Sequence, residues 1–268
     1  MIAGFGKVHI GRLVALTLLL PVRLAAQAGP PYETDDPDPG PNHHWEFYLA
    51  TQDVHTPGAT SGTAPHVEVN YTAAPNLFLH VLVPFAYASA AGSAPAYGLG
   101  DVEVGTKWRF VQEGRWRPMI GTFVQTDWPT ASAASGLGTR HLHVFVPLWL
   151  QKSVGAWSTD VGGGYLLDAA EGYRNYWSFG WLVERNLGTL ATLGAEVFYE
   201  PAHHDSTLST LRTNVGLVLN LSDDDHVLVS IGHSLFGERT VQAYVAYQLT
   251  LTPPPPDAAL LRRLAGAP

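Results

Sequence analysis

Four ionisable residues fall at alternate positions between Asp101 and Arg109: Asp101, Glu103, Lys107 and Arg109, with Gly105 in the gap. A period of two puts them on one side of a β-strand. Val102, Val104, Thr106, Trp108 and Phe110 then fall on the other side. The same parity in other segments adds Glu68, His80, Arg117, Gln125, Asp160, Glu184, Glu196 and Arg212 to the polar side. Fixed charges of both signs facing one space can orient or select a solute, as charged rings do in channels. They can also pair across adjacent strands and fill that space, and Lys107 and Arg109 are placed to do so. Both uses stay open at this level.

Strings that resemble catalytic or metal-binding sites are weaker. Gly232 to Gly237 spells GHSLFG, with one residue too many after Ser234 for a nucleophile elbow and no helix expected to follow. His141 and His143 are two apart and would share a strand face. With no Ser or Asp in register they are expected to fill space, not to act as bases or ligands. His203, His204 and Asp205 fall in a connection, where solvated polar residues are the default. Gly162 to Gly164 suits a bend or a close packing contact better than a phosphate cradle. Asp223 to Asp225 makes a tight turn with too few oxygen ligands for calcium. No catalytic residue, metal site or cofactor is expected.

The elements that must carry these residues follow from composition. Only 14% of residues are charged, too few for an ordinary soluble surface, and no stretch beyond the N-terminus is apolar for a helical span. Low charge without long apolar runs is what a membrane barrel produces, because only every second residue meets lipid. The chain has no cysteine, which excludes disulfides and thiolate metal sites.

Twelve alternating segments are expected, at 44–53, 65–73, 77–87, 100–111, 116–128, 140–152, 157–167, 174–185, 189–199, 209–221, 226–235 and 241–250. Connections near 54–64, 88–99, 129–139, 168–173, 200–208 and 236–240 are mostly long. Those at 74–76, 112–115, 153–156, 186–188 and 222–225 are short. Long and short links alternate, as in outer-membrane barrels with both termini periplasmic. The fold expected is an all-β, transmembrane, antiparallel up-and-down β-barrel of about twelve strands, over residues 44–251. A one-residue slip in the 101–110 segment would turn four charges toward lipid. Each basic residue there costs roughly 2–4 kcal/mol near the midplane, so the facing is determined. Trp45, Trp108, Trp116, Trp149 and Trp157 fall near one end of the strands and Trp128 and Trp177 near the other, as two aromatic girdles would require, although Trp149 has lumen parity and supports its girdle only weakly.

Residues 1–28 have the features of a signal peptide: Lys7 and Arg12, the apolar Leu13 to Val22, and the cleavage string Ala26-Gln27-Ala28. Losing three cations and no acid takes the net charge from −8 to −11, which disfavours nucleic-acid binding. Residues 29–43 form an arm rich in Pro, Asp and Gly, acidic from Glu33 to Asp38. Opposite charge and position predict that it enters the lumen and pairs with Arg109, Arg117 or Lys107, as a plug. Residues 252–268 begin with Thr252 and four prolines, a stiff spacer before a tail without expected structure.

The strings PPYETDDPDP (Pro30 to Pro39), YGLGDVEVGTKWRF (Tyr97 to Phe110), PLWLQKS (Pro147 to Ser153), NYWSFGWL (Asn175 to Leu182) and LGAEVF (Leu193 to Phe198) extend over most of the mature chain. In them the chain resembles the MetA-pathway family of outer-membrane proteins, named after the meta-pathway of phenol degradation. That resemblance implies an outer-membrane barrel of a Gram-negative cell with a transport role for aromatic or other small compounds.

A twelve-strand barrel has a backbone radius of roughly 12 Å, which leaves a lumen of roughly 10 Å if nothing plugs it. The function expected is a passive channel for small molecules, aromatic or hydrophobic ones included. The partners expected are outer-membrane lipids, a small-molecule permeant and the barrel-assembly machinery. The alternatives are an outer-membrane enzyme of lipid-hydrolase type and a filled structural barrel.

Overall fold

The computed structural model describes residues 30–132, 134–168, 172–204 and 207–252. The expected signal peptide and the tail from Pro253 lie outside the described residues. Among the described residues no helix is long and apolar enough to cross a membrane.

The chain folds into thirteen strand segments: β1 (Trp45–Thr56), β2 (Ala59–Ala74), β3 (Leu77–Ala90), β4 (Ala96–Leu99), β5 (Val102–Val111), β6 (Met119–Trp128), β7 (His143–Val154), β8 (Trp157–Asp168), β9 (Tyr176–Asn186), β10 (Ala191–Glu200), β11 (Thr210–Asn220), β12 (Asp225–Phe236) and β13 (Val241–Leu251). Consecutive strands pair antiparallel, and β1 pairs with β13, which closes the sheet. Segments β4 and β5 are one strand broken at Gly100 and Asp101. The first pairs with Phe85–Ala88 of β3 and the second with Leu77–Leu82. The closed transmembrane barrel therefore has twelve strand positions, and closure leaves no free edge.

The two-residue period sorts the side chains. Val81, Val104, Leu148, Val161, Phe179, Leu193, Val215 and Val245 are exposed on the outer surface. Trp108, Trp128, Trp157 and Trp177 are exposed with them. An apolar outside costs nothing where the solvent is hydrocarbon. The inner face carries Glu68, His80, Glu103, Lys107, Gln125, Asp160 and Glu196, all buried. It also carries an aromatic cluster formed by Phe78, Phe123, Phe145, Trp149, Tyr176 and Phe198 with Leu166.

Four expectations are corrected. Trp149 is not part of a girdle: it is 0% exposed, inside the barrel, where Gly162 leaves room for its ring. Residues 54–64 are not a loop. β1 and β2 continue to a turn at Pro57 and Gly58, the latter at φ +85°. The stretch 59–63 has no apolar alternation to mark it as strand, yet main-chain bonding to β1 and β3 holds it. Strand β6 starts at Met119, not 116, because Pro118 has no N–H to give a ladder. Strand β7 starts at His143, so exposed His141 shares no strand face with its buried neighbour.

Candidate functional site

The interior is occupied by the acidic arm. Residues Pro31 to Asp35, Pro37 and Pro39 are buried, although they belong to no strand. The arm enters beside the start of β1, where the Thr72 hydroxyl donates to the Pro39 carbonyl. From there it climbs the bore.

Four pairs hold its acids, the loosest being Lys107 with the part-exposed Asp36 at 3.6 Å. The Arg109 guanidinium donates to Asp38 at 2.6 Å, the Lys107 ammonium to Asp35 at 3.0 Å, and Arg212 to Glu33 through two bonds of 2.8 and 2.5 Å. These pairs differ in weight. Asp38 is 44% exposed, so its pair is screened and worth at most about 1 kcal/mol. The Lys107–Asp35 pair is buried on both sides, so breaking it strands a charge away from water. The Arg212–Glu33 pair has the planar two-bond geometry that favours guanidinium. Gln242 adds a bond to Glu33 at 3.1 Å, and Glu200 accepts a further bond from Arg212 at 3.0 Å.

The backbone of the arm is held as well. Glu196 accepts from the N–H of Glu33 at 2.9 Å and of Thr34 at 2.8 Å. Asn214 and Ser230 donate to the Pro31 carbonyl at 3.1 and 2.8 Å. The wall is cut away to admit the arm. Thr34 lies on Gly180, and Tyr32 lies on Gly194 and Gly216, where a Cβ would overlap them.

Lys107 stands on β5 and Arg212 on β11. These strands are six positions apart either way round the ring of twelve, hence on opposite walls. Glu33 and Asp35 are two residues apart and reach one wall each. The chain Arg212–Glu33–Thr34–Asp35–Lys107 is therefore a strut across the bore.

A second polar lattice lines the wall from β13 to β6. Gln248 donates to the Tyr48 hydroxyl at 2.7 Å, and Tyr48 donates to Glu46 at 3.1 Å. Asn70 bridges Glu46 and Glu68, at 3.3 and 2.7 Å. His80 contacts Asn70 at 2.7 Å and lies 3.4 Å from Glu68 and 3.1 Å from Glu103. Gln125 donates to Glu103 at 2.6 Å. A single imidazole thus stands between two buried carboxylates. Asp160 of β8 is 1% exposed, and the Ser158 hydroxyl donates to Glu184 of β9 at 3.4 Å.

Two predicted lumen residues do other work. Arg117 sits exposed in the turn before β6 and donates to the Gln112 carbonyl at 3.0 Å, so it neither lines the bore nor meets the arm. In the same turn, the Lys152 ammonium at 2.5 Å holds the Glu113 carboxyl below its usual range. Asp101 is half-buried at the break between β4 and β5. Its carboxylate accepts from the N–H of Ala131 at 3.0 Å and from the N–H and hydroxyl of Thr139 at 2.6 and 2.8 Å. It pins the connection between β6 and β7. Replacement by Ala is expected to free that connection at a cost of about 1.5–3 kcal/mol, the worth of hydrogen bonds to a charged acceptor. Limited proteolysis would read this as faster cleavage between 129 and 142, with barrel circular dichroism unchanged.

Some interior residues escaped sequence reasoning. His143 has the acid partners it lacked by spacing, Asp168 at 3.4 Å and Asp127 at 3.8 Å. Glu46, Tyr48 and Asn70 share the lumen parity and were legible by it. His203 pairs with Glu200 at 3.0 Å, while Asp205 lies outside the described residues. Among the described residues no group of three or more His, Asp or Glu could hold a metal ion.

No family model and no curated protein matches the chain. Solved structures do. The COG4313 outer membrane channel from Pseudomonas putida F1 matches with a TM-score of 0.64 at 14% identity, over 79% of this chain and 97% of that one. The KdgM porin matches at 0.54 and 12% identity, over 76% of this chain and 99% of that one. The NanC porin matches at 0.54 and 7% identity, over 76% and 100%. At these identities the likeness establishes the shared barrel fold.

Proposed function

We propose that this protein is an outer-membrane channel of a Gram-negative cell that passes small molecules passively, aromatic or hydrophobic ones included, with the N-terminal arm as its plug. In this reading both termini are periplasmic, residues 1–28 direct export, and the barrel-assembly machinery inserts the mature chain among the outer-membrane lipids. The strut between Arg212 and Lys107 carries the proposal. A filler with no task is best built from apolar side chains, because a buried ion pair seldom adds stability over them. A segment held by ion pairs and hydrogen bonds on a glycine-cut wall can leave and return. The similar folds of the outer membrane channel and the two porins support the same reading.

One observation favours a second reading. Trp149 is 0% and Gln125 1% exposed inside the barrel, beside a buried aromatic cluster, and a permanently filled barrel would pack in this way. Planar-bilayer conductance of the refolded mature protein separates the two. Discrete current steps above bare lipid, in the intact chain or in a chain lacking the arm, are expected of a channel. Silence in both would leave a filled structural barrel.

A further inference from the structure

We infer that Lys107 and the phenyl rings around it form a binding site for a small organic carboxylate with an apolar body, and that the side chain of Asp35 occupies this site as a built-in substitute. The inference rests on the channel reading for its purpose, but its geometry stands alone. The Lys107 ammonium lies 5.4 Å from the Phe78 ring centre and 5.3 Å from that of Phe123, while Asp35 takes its forward face at 3.0 Å. The two rings meet edge to face with centres 6.1 Å apart. Asp36 lies 3.6 Å from the same ammonium, so the cation is held between two carboxylates of the arm and apolar walls. Arg212 repeats the design, with Glu33 in front and the Phe198 ring 5.6 Å from its guanidinium carbon.

Charge favours this class of ligand over others. The rest of the lining is acidic or neutral: Glu68, Glu103, Asp160 and Glu196 are buried there. An anion entering the bore meets few attractive groups, and those facing inward, Lys107, Arg109 and Arg212, are the ones the arm has taken. A carboxylate alone gains the ion pair, which in water is worth little. A ring alone gains only apolar contact. A molecule with both matches what Asp35 leaves behind, and its ring replaces the contacts that water would otherwise make with Phe78 and Phe123. Ligand and arm then compete for one cation, so the ligand favours the open bore.

The full chain tests this, since it contains no cysteine. A Thr34→Cys variant places a thiol in the buried part of the arm, and maleimide labelling in detergent reports release. Benzoate is the probe. Acetate supplies the carboxylate without the ring, benzyl alcohol the ring without the charge, and benzylamine the opposite charge. Benzoate is expected to speed labelling saturably, by about tenfold at roughly ten times its dissociation constant for the vacated site. The three controls at equal concentration are expected to change it less than twofold, about the effect of a ligand no more concentrated than its dissociation constant. Phe123→Leu, or Phe78→Leu should the first variant not fold, is expected to weaken the benzoate response several-fold when each variant is compared with its own rate without benzoate. No response to benzoate, or an equal response to acetate or benzyl alcohol, would overturn the inference. Because labelling needs no transport, current steps without a benzoate response would sink this inference and spare the channel, whereas a benzoate response without current would do the reverse.

Discussion

A chain lacking residues 30–42 is expected to conduct several-fold more current per barrel than the intact chain, and to shift its ion preference toward anions. The first effect follows from position. The strut from Arg212 to Lys107 joins opposite walls, and Tyr32, Pro37 and Pro39 fill the bore on either side of it. The second follows from charge. The deleted stretch contains Glu33, Asp35, Asp36 and Asp38 and no Lys or Arg, so the lumen loses four negative charges and gains uncovered cations. Lys107 and Arg109 would then face permeating ions directly. The barrel itself should survive. Its ladder closes through β1 and β13 without the arm, and the cations released from it would be hydrated by the water that replaces it. Single-channel steps and the reversal potential across a salt gradient measure both effects. Equal step size and equal reversal potential would remove the plug.

Lys107→Met is expected to release the arm almost as completely as deletion, by a different route. The substitution keeps a side chain of similar length and removes the charge that lies near the Phe78 and Phe123 rings. Asp35, 1% exposed, would then be an uncompensated buried anion. Removing one partner of a buried pair costs about 3–5 kcal/mol. At about 1.4 kcal/mol per factor of ten, the docked-to-free ratio of the arm falls by two to more than three orders of magnitude. Adding Asp35→Leu in the same chain removes the second charge as well. The double variant is expected to recover most of the docking, because an apolar pair of similar size often matches the ion pair. Arg109→Ala serves as the contrast, with a cost below about 1 kcal/mol for its exposed pair. Thiol labelling of Thr34→Cys in each background gives the order. Protection unchanged in Lys107→Met would show that the ion pair does not hold the arm.

The predicted partners of the arm show how far residue pattern alone reaches. Opposite charge pointed to Lys107 and Arg109, and both pair with it. The same logic offered Arg117, which Pro118 keeps out of a strand, and passed over Arg212, which lies 179 residues from Glu33 along the chain. Parity reports the face on which a side chain stands. It does not report what stands opposite, because that depends on strand number, stagger and closure. Asp101 shows a second limit. It has lumen parity, but a break in the strand turns it toward the β6–β7 connection instead. Trp149 shows a third, since an aromatic at lumen parity can be a buried core residue when a glycine faces it.

By itself the sequence determined an antiparallel barrel of about twelve strands and the side of the wall on which Glu68, His80, Glu103, Lys107, Gln125, Asp160 and Glu196 stand. Those follow from a local period of two set against the high cost of a charge in hydrocarbon, and no distant contact is needed to impose them. Tertiary structure alone decided that the acidic arm crosses the bore, which cation meets which acid, and that phenyl rings flank the cation it covers. These are relations between opposite walls of a closed ring, and they exist only once the first and last strands have met.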